Sequence, residues 1–255
     1  MIVFSNAKIN IGLNIIEKRK DGFHNLESIF YPVLDLYDVL EVVKNSENQL
    51  EFTSSGIAIP GDSNDNLCVK AYYLLQKDYP ISFVKIHLHK VIPIGAGLGG
   101  GSSDAAFMLK ALNELFELNL TTNQLINYAR KLGSDCAFFI KNKPVYAYHK
   151  GDEFEEVALD LSPYVIKIEY PNIHIGTAEA YNGVTPKKST TNLKELIKSP
   201  IYNWKSTIKN DFEESIFPNH PEIESLKQEM YNKGAIYASM TGSGSAVFGI
   251  FLNQL

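Results

Sequence analysis

Residues 93–104 read PIGAGLGGGSSD, and five of the seven positions from 95 to 101 are glycine. Alternating side chains over residues 83–89 predict a strand before this stretch, and apolar residues at helical spacing predict a helix over 102–116 after it. Glycine lets backbone N–H groups converge on a ligand, and a helix start adds unpaired N–H groups and the positive end of the helix dipole. The junction therefore predicts a site for a di- or triphosphate rather than a flexible hinge.

The residues around the glycines argue against several known types of phosphate-binding loop. A Walker loop ends in Gly-Lys-Ser or Gly-Lys-Thr, and that lysine is missing before Ser102. Gly95, Gly97 and Gly100 fit the G-x-G-x-x-G spacing, but residues 118–130 read as turn and helix where a dinucleotide-binding fold needs a second strand. A protein-kinase glycine loop lies in a hairpin and has a partner catalytic-loop sequence, which this chain lacks. A dinucleotide-dependent protein stays open as the alternative.

Four polar residues outside the glycines are candidates for chemistry. Lys8 and Asn10 lie on the polar face of a predicted first strand, where the lysine either holds a phosphate or is solvated. Asp104 falls in the first turn of the predicted helix, where it either binds Mg²⁺ beside a triphosphate or interacts with the helix dipole. Asp135 precedes an apolar run and is either a general base or a turn and N-cap carboxylate.

The composition of the 255-residue chain is that of a globular protein, with 45% hydrophobic and 21% charged residues. The net charge of −5 and the lack of a basic stripe argue against a nucleic-acid partner, because binding to the phosphate backbone needs clustered Lys and Arg. No apolar run approaches the ~18 residues that cross a bilayer, and the N-terminus does not read as a signal peptide. These features, with only two cysteines, predict a cytoplasmic protein that binds no membrane.

Strands and helices are mixed along the whole chain, and prolines become frequent after about residue 160. This mixture of strands and helices predicts an α+β fold. We expect two domains, residues 1–158 and residues 159–255.

Three sequence motifs and their order along the chain are informative about the type of protein. Lys8 and Asn10 with the element Asp21-Gly22-Phe23-His24 come first, the glycine-rich residues 92–106 follow, and residues 240–245 read MTGSGS. In this order the chain resembles the GHMP kinase superfamily, named for galactokinase, homoserine, mevalonate and phosphomevalonate kinases. The Asp-Gly-Phe-His element resembles most the members that phosphorylate the 2-hydroxyl of 4-diphosphocytidyl-2-C-methyl-D-erythritol in the non-mevalonate isoprenoid precursor pathway.

The resemblance carries expectations for fold, cofactors and partners. It implies an N-terminal domain like the second domain of ribosomal protein S5 and a ferredoxin-like C-terminal domain. It implies ATP and Mg²⁺ as cofactors, with metal ligands that the sequence does not identify, and a small-molecule cytidyl diphosphate as the partner of a monomer or homodimer. A kinase of the mevalonate or homoserine type, and a non-catalytic nucleotide-binding protein, are the alternatives.

The resemblance also implies roles for individual residues. Asp135 is expected to accept the hydroxyl proton, and Lys8 to support Asp135 and neutralise the transferring group. His24 is expected to bind the cytosine edge, with Phe23 and Tyr181 stacking on the ring. The residues implied at the acceptor substrate are Asn10, Phe23, His24, Thr177 and Tyr181. The residues implied at ATP are Asn66, Lys90, Pro93, Gly95, Gly97, Gly99, Gly100, Gly101, Ser102 and Ser103.

Overall fold

The computed structural model describes residues 1–188 and 191–253. Its strands are β1 (Ile2–Lys18), β2 (His24–Lys44), β3 (Glu51–Gly56), β4 (Val84–Lys90), β5 (Val145–Tyr148), β6 (Glu153–Glu156), β7 (Tyr164–Glu169), β8 (Tyr237–Met240) and β9 (Val247–Leu252). Its α-helices are α1 (Leu67–Gln76), α2 (Gly100–Leu115), α3 (Thr122–Leu132), α4 (Cys136–Lys141), α5 (Thr177–Asn182), α6 (Leu193–Leu196), α7 (Trp204–Thr207), α8 (Phe212–Ile216) and α9 (Pro221–Asn232). The predicted α+β class is confirmed.

The glycine-rich stretch joins β4 to α2, as the sequence predicts. The helix begins at Gly100, two residues before the predicted start, because Gly99 takes the left-handed N-cap conformation with φ of 72° and Gly100 and Gly101 already form helical backbone. A glycine reaches this conformation without strain. Two glycines of the stretch therefore belong to the first turn of α2, where backbone N–H groups lack helical acceptors.

A second difference from the sequence prediction concerns β2. The sequence predicts one strand over residues 24–33 and another over residues 39–43, yet β2 runs without a break from His24 to Lys44. Between the two predicted strands, Asp38 is fully buried and accepts hydrogen bonds from the backbone N–H groups of Val91 and Ile92. A buried carboxylate with such donors does not interrupt a strand, because its hydrogen-bonding capacity is satisfied inside the protein.

The chain forms two compact units that are not consecutive in sequence. The first comprises Met1–Ala7, Val33–Ile94 and Gly99–Lys143. In it, β4 pairs antiparallel with residues 39–44 of β2 and parallel with β3. Helices α1 to α4 pack on one another through buried apolar side chains. Thr121 and Gln124 have the sequence spacing that predicts a capping box, and the structure confirms it at the start of α3.

The second unit comprises Lys8–Pro32, Gly95–Leu98 and Pro144–Leu255. Here β5 pairs antiparallel with residues 28–30 of β2 and with β6, and β9 lies between β7 and β8 in an antiparallel sheet. The main apolar core of the unit gathers buried side chains of β1, β8, β9 and the helices between them, among them Ile15, Phe212, Ile223, Met240 and Val247.

The division at residues 158 and 159 stays a prediction, since the compact units group segments by contact rather than by order along the chain. The predicted second domain also includes residues 189–190 and 254–255, which lie outside the described residues. In the described part of the chain, no helix has both the length and the apolar character needed to cross a membrane.

Candidate functional site

The side chain of Lys8, on β1, is buried in the second unit with 3% of its surface exposed. Its ammonium donates to the carbonyl oxygen of Gly97 at 3.0 Å and to Oδ1 of Asn10, and it lies 4.8 Å from the ring centroid of Phe30. The backbone N–H of Lys8 donates to the carbonyl oxygen of Leu98. Of the two alternatives for Lys8, the solvated strand lysine is therefore excluded, and the strand is joined to the glycine-rich loop through this residue.

The amide of Asn10 is held on both sides. Its Oδ1 accepts from the Lys8 ammonium, and its Nδ2 donates to Oγ of Ser28 at 2.9 Å, while that hydroxyl donates to the carbonyl oxygen of Gly12 at 2.6 Å. Asn10 and Ser28 are both buried. This network fixes the orientation of the amide and so fixes the position of the ammonium.

Thr241, which the sequence did not mark individually, completes the network. Its Oγ1 accepts from the backbone N–H of Asn10 at 3.0 Å and lies 3.1 Å from the carbonyl oxygen of Gly97. Gly97 has φ of +78°, and a Cβ there would meet the carbonyl oxygen of Thr241 at 1.9 Å. The turn after β8 thus packs directly on the loop, and only glycine fits at position 97.

Gly95 has a similar constraint in the same unit. Its φ is +69°, and a Cβ would lie 2.6 Å from Nδ1 of His174. The two predicted ATP residues Gly95 and Gly97 therefore need to be glycine for packing and conformation within the protein, whatever they bind.

The predicted acceptor residues His24 and Tyr181 lie together. Their rings stack with centroids 4.7 Å apart and an angle of 23° between planes, and Phe212 meets the Tyr181 ring edge-on. Burial, and next the charge of Lys18, lower the pKa of His24, so its imidazole is neutral at physiological pH. A neutral imidazole offers one donor and one acceptor nitrogen.

The remaining acceptor residues flank this pair in sequence. Thr177 is the first residue of α5 and stands four positions before Tyr181, on the same side of the helix. Phe23 is 59% exposed, and the Lys150 ammonium lies 5.3 Å from its ring centroid. The second unit therefore supplies two clusters, one around Lys8 and one around His24.

The first unit contains a pocket of about 390 Å³ beside the start of α2. The predicted ATP residues Asn66 and Gly101 both line it, together with Asp104. The side-chain oxygen of Asn66 also caps α1 by accepting from the backbone N–H of Cys68 at 2.8 Å. The other lining residues are Phe52, Ser54, Ile59, Pro60, Gly61, Asp62, Ser63, Asp65 and Leu67.

The first turn of α2 contains three predicted ATP residues besides Gly100. A Cβ on Gly101 would meet only the tip of Leu67, at 3.9 Å, so the backbone there is open to a ligand. Burial raises the pKa of the Cys136 thiol to about 11, and the side chain of Ser102 opposes that rise. The Ser103 hydroxyl is buried and has no hydrogen-bond partner among the described residues. Pro93 is half-buried just before the loop, and Gly99 forms the N-cap.

Lys90 lies in an ion cluster rather than at an open surface. Its buried ammonium donates to Asp38 and, at 2.8 Å, to Oδ2 of Asp104. The other oxygen of Asp104 accepts from Ser5 at 2.6 Å. The structure thus gives Asp104 a role that neither sequence alternative included, because both of its carboxylate oxygens already bind groups of the protein.

Asp135 occupies the N-cap position of α4, in the first unit, with helical backbone angles. Among the described residues its side chain is not the acceptor that caps this helix. The position agrees with the turn and N-cap alternative, and the role of general base stays a prediction.

Known proteins match this chain over nearly its whole length. The family model for the GHMP kinases N terminal domain matches residues 66–143, and that for the GHMP kinases C terminal matches residues 188–254. A Bacteroides thetaiotaomicron protein named 4-diphosphocytidyl-2-C-methyl-D-erythritol kinase is 52% identical over 253 residues, covering 98% of this chain and 92% of the relative. A Cytophaga hutchinsonii protein of the same name is 51% identical, covering 98% and 92%.

Solved structures give the same result for the fold. The crystal structure of a 4-(cytidine 5'-diphospho)-2C-methyl-D-erythritol kinase matches with a TM-score of 0.85 and 31% identity, covering 98% of this chain and 90% of that one. A homoserine kinase from Cytophaga hutchinsonii matches with a TM-score of 0.70 at 16% identity, covering 98% and 85%. The second likeness is one of fold alone.

The Thr241 hydroxyl provides a test of the Lys8 network. We expect Thr241→Val, which has nearly the same shape, to lower the free energy of unfolding by about 1–3 kcal/mol, because the buried N–H of Asn10 loses its acceptor. Urea unfolding measures the change. Thr241→Ser keeps the hydroxyl and should retain most of the stability. A loss in Thr241→Ser with none in Thr241→Val would show that the methyl group, and not the hydrogen bond, matters.

Proposed function

The chain belongs to the GHMP kinase family, and from that membership we propose that it transfers the γ-phosphoryl group of ATP to the 2-hydroxyl of 4-diphosphocytidyl-2-C-methyl-D-erythritol. The proposal depends most on two relatives that bear the name of this kinase. They are 52% and 51% identical to this chain, and each match covers 98% of it. The Asp21-Gly22-Phe23-His24 element supports the same substrate, because the ring of its last residue, His24, stacks on the ring of Tyr181.

The residues of the first unit fit a nucleoside triphosphate. The pocket lined by Asn66 and Gly101 adjoins the first turn of α2, whose N–H groups and dipole favour anions. The unpartnered hydroxyl of Ser103 lies in the same turn. We propose that residues 99–103, with Pro93, Gly95 and Gly97 before them, hold the phosphates, and that Asn66 and Lys90 lie towards the adenosine.

Mg²⁺ supplies neutralisation of phosphate charge when it is bound. No group of three or more His, Cys, Asp or Glu side chains in the described ranges could hold a metal alone. That fits Mg²⁺, which keeps several waters and binds through substrate phosphates with one or two protein oxygens. The hydroxyls of Ser102 and Ser103, in the first turn of α2, are the protein oxygens that we propose for it.

Two residues carry the chemical step in this proposal. The Lys8 ammonium, fixed by Asn10 and the Gly97 carbonyl, neutralises charge on the transferring phosphoryl group. The Asp135 carboxylate accepts the proton of the attacking hydroxyl. Phosphoryl transfer needs little covalent chemistry from the protein, so positioning and charge account for most of the catalysis.

The acceptor residues divide into two groups. Asn10 and Thr177 contact the methylerythritol end, and neutral His24 pairs with the edge of cytosine through its donor and acceptor nitrogens. Phe23 and Tyr181 stack on the base. Binding the base at a distance from the reacting hydroxyl lets remote binding energy position the acceptor.

The cellular setting completes the proposal. We propose a cytoplasmic enzyme that acts as a monomer or homodimer, with domains at residues 1–158 and 159–255. Its partner is the small-molecule cytidyl diphosphate, with no nucleic acid and no membrane involved.

A panel of alcohols tests the function. With ATP and Mg²⁺, we expect ADP formation on the cytidyl substrate with a kcat/KM at least about 10³-fold above that on mevalonate or homoserine, because a site built for a polar group rejects substrates that lack it. Preference for mevalonate or homoserine would move the chain to another GHMP kinase activity. Tight NAD binding without ADP formation would favour the dinucleotide-dependent alternative.

The role of Asp135 is tested by Asp135→Asn. We expect kcat to fall at least ~10²-fold, because the amide cannot accept the hydroxyl proton, while ATP binding stays nearly unchanged. Stopped-time ADP assays and calorimetry measure the two effects. Asp160→Asn, the same change at an exposed position, is the control. Turnover by Asp135→Asn close to that of the wild type would remove Asp135 from this role.

The role of His24 is tested by His24→Ala. We expect the KM for the cytidyl substrate to rise on the order of tenfold, because a base hydrogen bond is lost, with the KM for ATP within about twofold of the wild type. Steady-state kinetics with each substrate varied in turn measure this. His89→Ala, on an exposed strand position, should change neither value. Equal rises for both substrates of His24→Ala would contradict the placement.

A further inference from the structure

The first unit buries three charged side chains, two of which, Asp38 and Asp104, have no part in the proposed function. Asp38 comes from β2, Lys90 is the last residue of β4, and Asp104 lies in α2. Each is at most 4% exposed, and the Lys90 ammonium donates to both carboxylates. We call these three residues the ion cluster.

The ion cluster binds the chain where it enters the glycine-rich loop. Oδ1 of Asp38 accepts from the backbone N–H of Val91 at 2.6 Å and from that of Ile92 at 2.8 Å. Its other oxygen accepts from the Lys90 ammonium. Three successive residues before Pro93 are thus held by one carboxylate.

The ion cluster also binds the chain where it leaves the loop. Asp104 follows the loop directly in α2, and its Oδ2 accepts from the Lys90 ammonium while Ser5 donates to Oδ1. Gly100 lies against the same ammonium, because a Cβ there would come within 2.9 Å of Nζ. The helix start therefore rests on Lys90, and Gly100 has no room for a side chain.

We infer that the ion cluster fixes the two ends of the glycine-rich loop relative to each other and thereby preorganises the loop for the phosphates of a nucleotide. Asp38 and Asp104 act as positioning residues, since each works through Lys90 or through backbone N–H groups. The inference rests on the proposed function, because it assumes that the loop binds a nucleoside triphosphate.

The position of Asp104 is held by charge as well as by shape. Its carboxylate accepts from the Lys90 ammonium and from the Ser5 hydroxyl, and all three side chains are buried. A substitution that removes the charge of Asp104 and nearly keeps its shape therefore tests the inference.

Asp104→Asn removes the charge while nearly keeping the shape. We expect the variant to bind the β,γ-imido analogue of ATP with Mg²⁺ about tenfold more weakly than the wild type at pH 7.5, because a charge-assisted hydrogen bond to Lys90 is weakened. The affinity for the cytidyl substrate should stay within about twofold of the wild type, because the residues proposed to bind that substrate are not part of the ion cluster. Calorimetric titration of full-length protein measures both affinities.

Two further variants complete the design. Glu114→Gln makes the same kind of change at an exposed site near the other end of α2 and should leave the affinity for the nucleotide unchanged. Ser5→Ala removes the hydrogen bond to Asp104 and keeps all three charges, and we expect a loss of about threefold at pH 7.5. It serves as the test if circular dichroism shows that Asp104→Asn does not fold.

The outcomes separate the inference from the proposed function. Affinities of Asp104→Asn, or of Ser5→Ala in its place, equal to the wild type at pH 7.5 would overturn the inference. A loss for Asp104→Asn that is equally large for the cytidyl substrate would also overturn it, since a general structural defect would weaken the binding of both substrates. A wild-type protein that binds no nucleotide would overturn the proposed function and the inference together.

Discussion

The candidate site of this protein depends on the contacts that the Lys8 ammonium makes inside the protein. A positive charge with 3% exposure is costly unless it is well bound, and here Asn10, the Gly97 carbonyl and the face of Phe30 bind it. Those contacts fasten the first strand to the glycine-rich loop. The loop is thus held to a rigid element of the sheet by the same charge that the proposed mechanism uses at the transferring phosphoryl group.

Two buried ammonium groups act on one glycine-rich stretch. Lys8 contacts it at Gly97, and Lys90 contacts it at Gly100. Because the chain as a whole has a net charge of −5, the affinity for an anionic nucleotide has to come from such local groups and from the start of α2 rather than from the overall charge. Glycine at these positions is needed for close packing, and in the proposed function it also lets the nucleotide approach the backbone.

Local signals predicted a large part of the fold. The strand before the glycines, the helix after them and the capping box at Thr121 depend on residues close in sequence, and the structure has all three. The start of α2 was placed two residues late, since glycines are poor helix formers and read as loop. The predicted division of residues 24–44 into two strands is wrong, and Asp38, which lies between them, is buried and binds backbone N–H groups of a distant segment.

The sequence predicted only those residues of the candidate site that belong to a recognisable motif. The resemblance named Lys8, Asn10 and the glycines, but the sequence did not mark Thr241, whose partner Asn10 lies 231 residues away. Ser28 and Asp38 were missed for the same reason, since a buried polar residue reveals its role only through partners from distant segments. The pattern indicated a strand face for Lys8 and could not show that this face is covered.

Phosphorus NMR of the wild-type reaction tests the central claim most directly. With ATP, Mg²⁺ and 4-diphosphocytidyl-2-C-methyl-D-erythritol, the account predicts that the γ-phosphorus signal disappears while a phosphate monoester signal on the acceptor grows in equal amount with ADP. Release of inorganic phosphate alone, or an unchanged ATP spectrum, would contradict the claim that this site transfers a phosphoryl group to that alcohol.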